Sequence, residues 1–255
     1  MKLNTIGYDV KEYMTLIPFG DIHYGGRECN EKVFHAHLNM IKEIPNCAVI
    51  LMGDMVNCGT RDSVGAGTYD DKMTPEQQYE NMIEFLTPIR DKIIGCHQGN
   101  HEERIRNTTS FDVSKMLSRE LKIPYLQYGA LHKIRVNDVN FHVHSIHGAS
   151  GALTAGGKLN ACRKMQEHVN ADIYLMGHTH GLDHSTQICY QINNRKRTIE
   201  QIVRHFILTG SFVEYNRSYG ERKNYSPSPI GVPKIKLYGE LSRGMKKVEV
   251  SFTDK

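Results

Sequence analysis

No apolar run in this chain approaches the roughly 18–20 residues that a membrane-spanning helix needs. The amino terminus, MKLNTIGYDVKEYMTL, holds no apolar core of the kind that directs export. Both absences predict a cytoplasmic protein without a membrane partner. The six cysteines at 29, 47, 58, 96, 162 and 189 form no CxxC pair, which argues against a zinc knuckle or a redox motif and predicts free thiols. A strong charge of one sign is also missing. With 32 basic and 28 acidic residues the formal net charge is +4, which permits a polyanionic substrate without demanding one. No internal repeat and no low-complexity linker divides the 255 residues, so residues 1–255 are read as a single domain, long enough to bury its core without staples.

Histidine is plentiful instead, at 14 residues, and it is the usual metal ligand and proton carrier. Apolar runs at Tyr13–Phe19, 47–52, 92–98 and 171–177 read as strands. Phe34, Leu38 and Ile41 form a helical stripe within 29–44. Thr74 and Pro75 open a second helix as N-cap and first residue. Further helices are predicted over 109–122, starting at Thr109 or Ser110, and over 157–169. Residues 131–148 read as two strands around a turn at 137–140, and 184–253 as short β runs alternating with loops. Strands and helices alternate through the first half, which predicts a layered α/β fold.

Five strands share one design, in that each stops at a loop bearing a metal-ligand type. Asp21 and His23 follow TLIPFG, Asp54 follows AVILMG, and Asn100-His101 follows IIGCHQG. His147 ends FHVHSIH, and His178 and His180 follow IYLMG. The carboxyl ends of strands in an α/β sheet line one crevice, so these side chains are expected to converge there. The set suits two divalent ions, with Asp54 bridging them through its two oxygens. Two carboxylates against four positive charges leave an excess that suits a phosphate. Of the three H-x-H pairs, only His178/His180 follows a strand and a glycine. His35 and His37 lie on a predicted helix and read as surface histidines. His142 and His144 lie within a strand and read as packed or solvated.

In this order and spacing, GDIHYGG, GDMVN, GNHE, HG after a strand and GHTH resemble the calcineurin-like metallophosphoesterases, over residues 20–180. Among them the chain is similar to short single-domain bacterial and phage members. The resemblance implies a two-sheet β-sandwich flanked by helices, a four-layer αββα arrangement, around a dinuclear centre. It implies that Asp21, His23 and His180 hold one metal, and Asn100, His147 and His178 the other, with Asp54 between them. The histidine directly before the glycine selects His147 over His144. His101 would not ligate but would assist the leaving group after attack by a metal-bound hydroxide. The ligand mix accepts iron, zinc, cobalt or nickel, with manganese expected for activity.

On the substrate side, Arg27, Arg61 and Arg104 follow metal loops and read equally as phosphate clamps or as solvated arginines. Asn57 would orient the phosphate or cap its turn. Tyr215, Tyr219 and Tyr225 offer stacking surfaces for a base, although covering a sheet edge is the slightly favoured reading. The basic turn NNRKR at 193–197 reads as a solvated hairpin tip more than as a nucleic-acid contact. The expected function is hydrolysis of a phosphodiester, of a nucleotide or nucleic acid. A phosphomonoesterase acting on metabolites or phosphoproteins is the alternative, and a non-catalytic scaffold the more distant one. Oligomeric state is left open.

Overall fold

Alternate side chains of the strand Tyr13–Phe19 enter two different cores. Met14 and Leu16 face one way, Ile17 and Phe19 the other, and all four are fully buried. A strand buried on both faces must lie in a sheet covered on both sides. The computed structural model of the chain, which describes residues 1–10, 12–61, 63, 69, 71–194, 197–216 and 218–254, shows what covers it. The first sheet runs, in spatial order, β12 (Met245–Asp254), β11 (Gly231–Ser242), β2 (Tyr13–Phe19), β3 (Cys47–Leu51), β4 (Ile93–His97) and β5 (Tyr125–Gln127). Strands β2 to β5 are parallel, while β11 runs antiparallel to both β2 and β12. The second sheet runs β1 (Lys2–Tyr8), β6 (Gly129–Val136), β7 (Val139–Ile146), β8 (Ile173–Met176), β10 (Thr198–Thr209) and β9 (Leu182–Asn193), and is also mixed.

The two sheets face each other across one apolar layer, in which Leu16, Ile50 and Ile235 meet Ile134, Phe141, Ile173 and Ile207. Helices α1 (Glu31–Glu43), α2 (Pro75–Leu86) and α4 (Val113–Glu120) cover the outer face of the first sheet, with Phe34, Met82 and Leu117 against Phe19 and Leu51. Helix α5 (Ala155–Lys164) covers the second, with Cys162 on Tyr174 and Phe206. This is the expected four-layer α/β arrangement. Thr74 caps α2 with a reciprocal bond to Gln77, and Pro75 follows, as its sequence requires. All six cysteines are free. Among the described residues no helix is long and apolar enough to cross a membrane.

Several expectations need correction. Residues Asn100–Thr109 form a helix, α3, directly after β4; only Ile105 in it is apolar, so no stripe announces it. Ser110 does not open the next helix but ends α3 in the left-handed conformation, at φ 63°, and α4 begins instead at Asp112, whose carboxylate accepts from Lys115 N. The β runs after residue 182 are long rather than short, forming the hairpins β9–β10 and β11–β12. Their solvent-facing residues interrupt the apolar pattern. The fifth helix spans 155–164 and runs on into a 3₁₀ turn at 165–167, so it starts two residues earlier and ends two residues sooner than the expected 157–169. His37 is buried, not on the surface, because α1 turns it onto β12, where Nε2 meets Thr253 Oγ1 at 2.7 Å. Arg195 and Lys196 of the basic turn, and residues 62, 64–68 and 70 between β3 and α2, lie outside the described residues.

Candidate metal centre

The loops after β2 and β3 are tied to each other before any ligand is considered. Asp21 N donates to Gly53 O at 2.9 Å, and Ile22 N and His23 N both donate to Asp54 O, at 2.8 and 3.0 Å. The third loop approaches so closely that a Cβ on Gly99 would lie 2.1 Å from Asp54 N. Only glycine permits that contact. Asp21, His23, Asp54, His178 and His180 all have φ between 48° and 63°, a region that non-glycine residues rarely occupy. Backbone cost of this kind is kept where side chains must be aimed.

The aim is inward. His23 Nε2 and His180 Nε2 lie 3.0 Å apart, and His180 Nε2 is 3.5 Å from Asp21 Oδ1. Asn100 Oδ1 lies 3.0 Å from His147 Nε2 and 2.7 Å from His178 Nδ1. Between these groups sits Asp54, with Oδ2 at 3.7 Å from His23 Nε2 and 3.4 Å from His147 Nε2. Its Oδ1 accepts the backbone N–H of His101 at 2.9 Å. Oδ1 is thus already bonded to α3, while Oδ2 faces both sides. Two imidazole nitrogens pointing at one another beside a buried carboxylate form a donor set suited to a divalent cation. The triads Asp21–His23–His180 and Asp54–His147–His178 each hold their ligand atoms within 4.8 Å of one another. A third cluster of that kind, His23–Asp54–His101, includes the histidine expected not to ligate.

Outer partners fix the orientation of these rings. His147 Nδ1 donates to Met52 O at 2.8 Å, which turns Nε2 to the centre. His101 Nδ1 donates to Asn57 O at 2.8 Å, and Arg104 Nη2 donates to His101 Nε2 at 3.0 Å. Glu102, 1% exposed, accepts from the backbone N–H groups of Asp54, Met55, Val56 and Gly99. It locks the third loop onto the second. Nothing in its sequence separates it from Glu103, which reaches Tyr128 instead. Burial pushes the Asp21 carboxyl up to about 8, with Asp54 adding to the effect. Burial opposes the charge on Asp54 too, but His147, His101 and His23 hold it well below the usual carboxylate range. Against its own burial, His147 is raised to about 10, chiefly by Asp54.

Above the centre opens a cavity of about 310 Å³. Arg27, Asn57 and Arg104 lie on its wall, whereas Arg61 is exposed and does not. The Asn57 amide donates to Asp71 Oδ1. Tyr215, Tyr219 and Tyr225 are on the wall as well, which corrects the reading that they cover a sheet edge. His144 packs against Tyr174 away from the centre, and His142 is exposed. Lys158, which the sequence did not single out, lines the cavity from α5.

Vacuolar protein sorting 29 of Cryptosporidium parvum is similar in structure at 14% identity and a TM-score of 0.47, over 96% of this chain and 100% of that one. A predicted phosphoesterase of Streptococcus pneumoniae gives 12%, 0.40, and 95% and 100% coverage. The nuclease MPE of Pseudomonas putida gives 13%, 0.36, and 92% and 87%. No curated protein matches the sequence. The family model described as calcineurin-like phosphoesterase matches residues 14–182, well over half of the chain, and that span holds all five strand-end loops: the chain belongs to the calcineurin-like phosphoesterases.

Proposed function

We propose that residues 1–255 act as one domain that hydrolyses phosphodiesters of the nucleotide or nucleic-acid type with two divalent metal ions. The observation that supports this reading best is the convergence of seven ligand-type side chains from five loops on two adjoining positions that share Asp54 Oδ2. Asp21, His23 and His180 would hold one ion, and Asn100, His147 and His178 the other. When bound, such ions supply Lewis acidity, which activates water and offsets charge on phosphoryl oxygens.

The chain's own residues place and protonate the substrate. The Nδ1–H bond of His101 to Asn57 O leaves Nε2 as the nitrogen that can carry a proton to a departing alkoxide. When Nε2 is protonated it can no longer accept from Arg104, and the guanidinium becomes free for a phosphate oxygen. Tyr215, Tyr219 and Tyr225 offer ring faces to a base. The test compares bis-nitrophenyl phosphate with nitrophenyl phosphate under manganese, then cyclic nucleotides and single-stranded and duplex DNA. Diester cleavage is expected, with manganese ahead of iron, zinc, cobalt and nickel. A monoester preference with no diester cleaved would give the site to a phosphomonoesterase.

A further inference from the structure

Lys158 is a buried cation without an anion. Its side chain is 4% exposed, yet it lines the cavity over the metal centre. The stem runs beside Gly181, where a Cβ would meet its Cδ at 3.5 Å, and its charge acts on neighbouring His180. An ammonium carries three donors. The hydrogen bond that Nζ makes is a long one, 3.4 Å to Ser226 O, and among the described residues no carboxylate pairs with it. It also stands one turn inside the N-terminus of α5, where the helix dipole disfavours a cation, and no acidic residue occupies that first turn. Burial alone depresses its pKa. A charge so placed destabilises the free protein unless a ligand pairs with it.

The charge balance says which ligand. Two divalent ions with Asp21 and Asp54 leave an excess of two positive charges, which a diester monoanion and a hydroxide cancel. Beyond that centre the wall carries Arg27, Arg104, Lys158 and Arg222 against Glu28 and Glu214. The surplus is positive, and its most buried member is Lys158. Ser226, whose carbonyl accepts from Lys158, shares that wall with Tyr225 and Ser228, and Ser226 N donates to Leu153 O, which ties that segment to the approach to α5.

We propose that Lys158 determines specificity by pairing with a second phosphate group of the substrate, adjacent to the one being hydrolysed. This rests on the diesterase reading above and adds what the substrate must carry. The preferred substrate is then a diester with a neighbouring phosphate, and a lone diester is a poor one.

The experiment measures kcat/KM for the dinucleotide dTpdT and for its 5′- and 3′-phosphorylated forms, in the wild type, Lys158→Met and Lys158→Arg. Direct binding of the same compounds to metal-free protein is measured by calorimetry. One phosphorylated form is expected to exceed dTpdT by roughly 10- to 100-fold, the range of a hydrogen-bonded charge pair. Lys158→Met should bring that ratio to about one, Lys158→Arg should keep most of it, and the binding ratios should follow. The melting temperature of Lys158→Met should be no lower than that of the wild type. Equal losses on all three compounds with a lowered melting temperature would make Lys158 structural and overturn the proposal. So would a ratio that Lys158→Met leaves intact, or a loss confined to nitrophenyl phosphate, which would put Lys158 on the extra charge of a monoester. A dinucleoside polyphosphate run in parallel tells a strand phosphate from one in a polyphosphate chain, by which ratio the substitution abolishes. If no metal supports any hydrolysis, the diesterase reading fails by itself, and the binding ratios still decide the role of Lys158.

Discussion

At the scale of single residues the proposed centre is sharply divided between groups that would touch metal and groups that aim them. Asp54→Asn keeps the shape but removes one of two carboxylates and the charge on Oδ2, the atom facing both His23 and His147. Elemental analysis should find at least one ion lost, and hydrolysis should fall by more than the ~10–100-fold typical of an outer partner. Full activity in a folded Asp54→Asn protein would end the shared-ligand assignment. His101→Ala should keep both ions. Its rate should fall by ~10²–10⁴ for poor leaving groups and less for nitrophenolate, which needs no proton. Loss of metal in that variant would make His101 a ligand, as its membership of a third cluster with His23 and Asp54 allows. His147→Ala should lose metal and activity together. His144→Ala should retain both, because its ring packs on Tyr174 and neither nitrogen has a partner.

At the scale of elements, α3 is the part on which the proposed second metal position would depend. Its first turn supplies Asn100, His101 and Glu102, and its N-terminal N–H groups bond to Asp54 and Glu102. Its far end costs stability, because Ser110 caps it at φ 63°. Ser110→Gly removes the clash of Cβ with the backbone and should stabilise the fold by up to about 1 kcal/mol, without altering kcat. Chemical denaturation measures the first and nitrophenyl diester turnover the second. A destabilised Ser110→Gly protein would mean that the serine side chain contributes more than its backbone costs.

For the whole molecule, the interior between the sheets holds an acid-sensitive feature. Ser145 Oγ of β7 lies 2.8 Å from His97 Nε2 of β4 and 2.7 Å from His132 Nε2 of β6, so this small polar cluster links the two sheets. Burial depresses His97 to about 3 and His132 to about 4, and burial with His184 beside it brings His205 to about 4. The unfolded chain therefore binds protons, from about pH 6.5 downward, that the folded chain refuses. The stability that these three histidines contribute is fully present above pH 6.5 and is lost as the pH drops toward 4, by up to about 1.4 kcal/mol per pH unit for each of them. Calorimetry between pH 7.5 and 4.5 should show this decline. His132→Gln, which stays neutral, should flatten it by about one histidine's share. An unchanged slope would place the acid lability elsewhere.

The strand ends were legible in the sequence because each short apolar run is followed at once by its polar ligand types, and strand period and chain order survive any change of tertiary detail. The Thr74-Pro75 cap agrees with the structure for the same reason, since it is local. Helix α3 was illegible because a helix lying over a polar cavity has no apolar stripe to display. The edge strand β1 and the long hairpins were hidden for a related reason, with half of each strand facing solvent. Other features belong to no segment at all. That Asp54 Oδ1 is bonded to α3, that Glu102 rather than Glu103 joins two loops, that His37 is buried under β12 and that Lys158 has no anion among the described residues follow from which chains approach one another. The sequence by itself determined which side chains end each strand. Only the packing of two sheets against each other decided which polar atoms are already satisfied by the protein and which remain for a ligand.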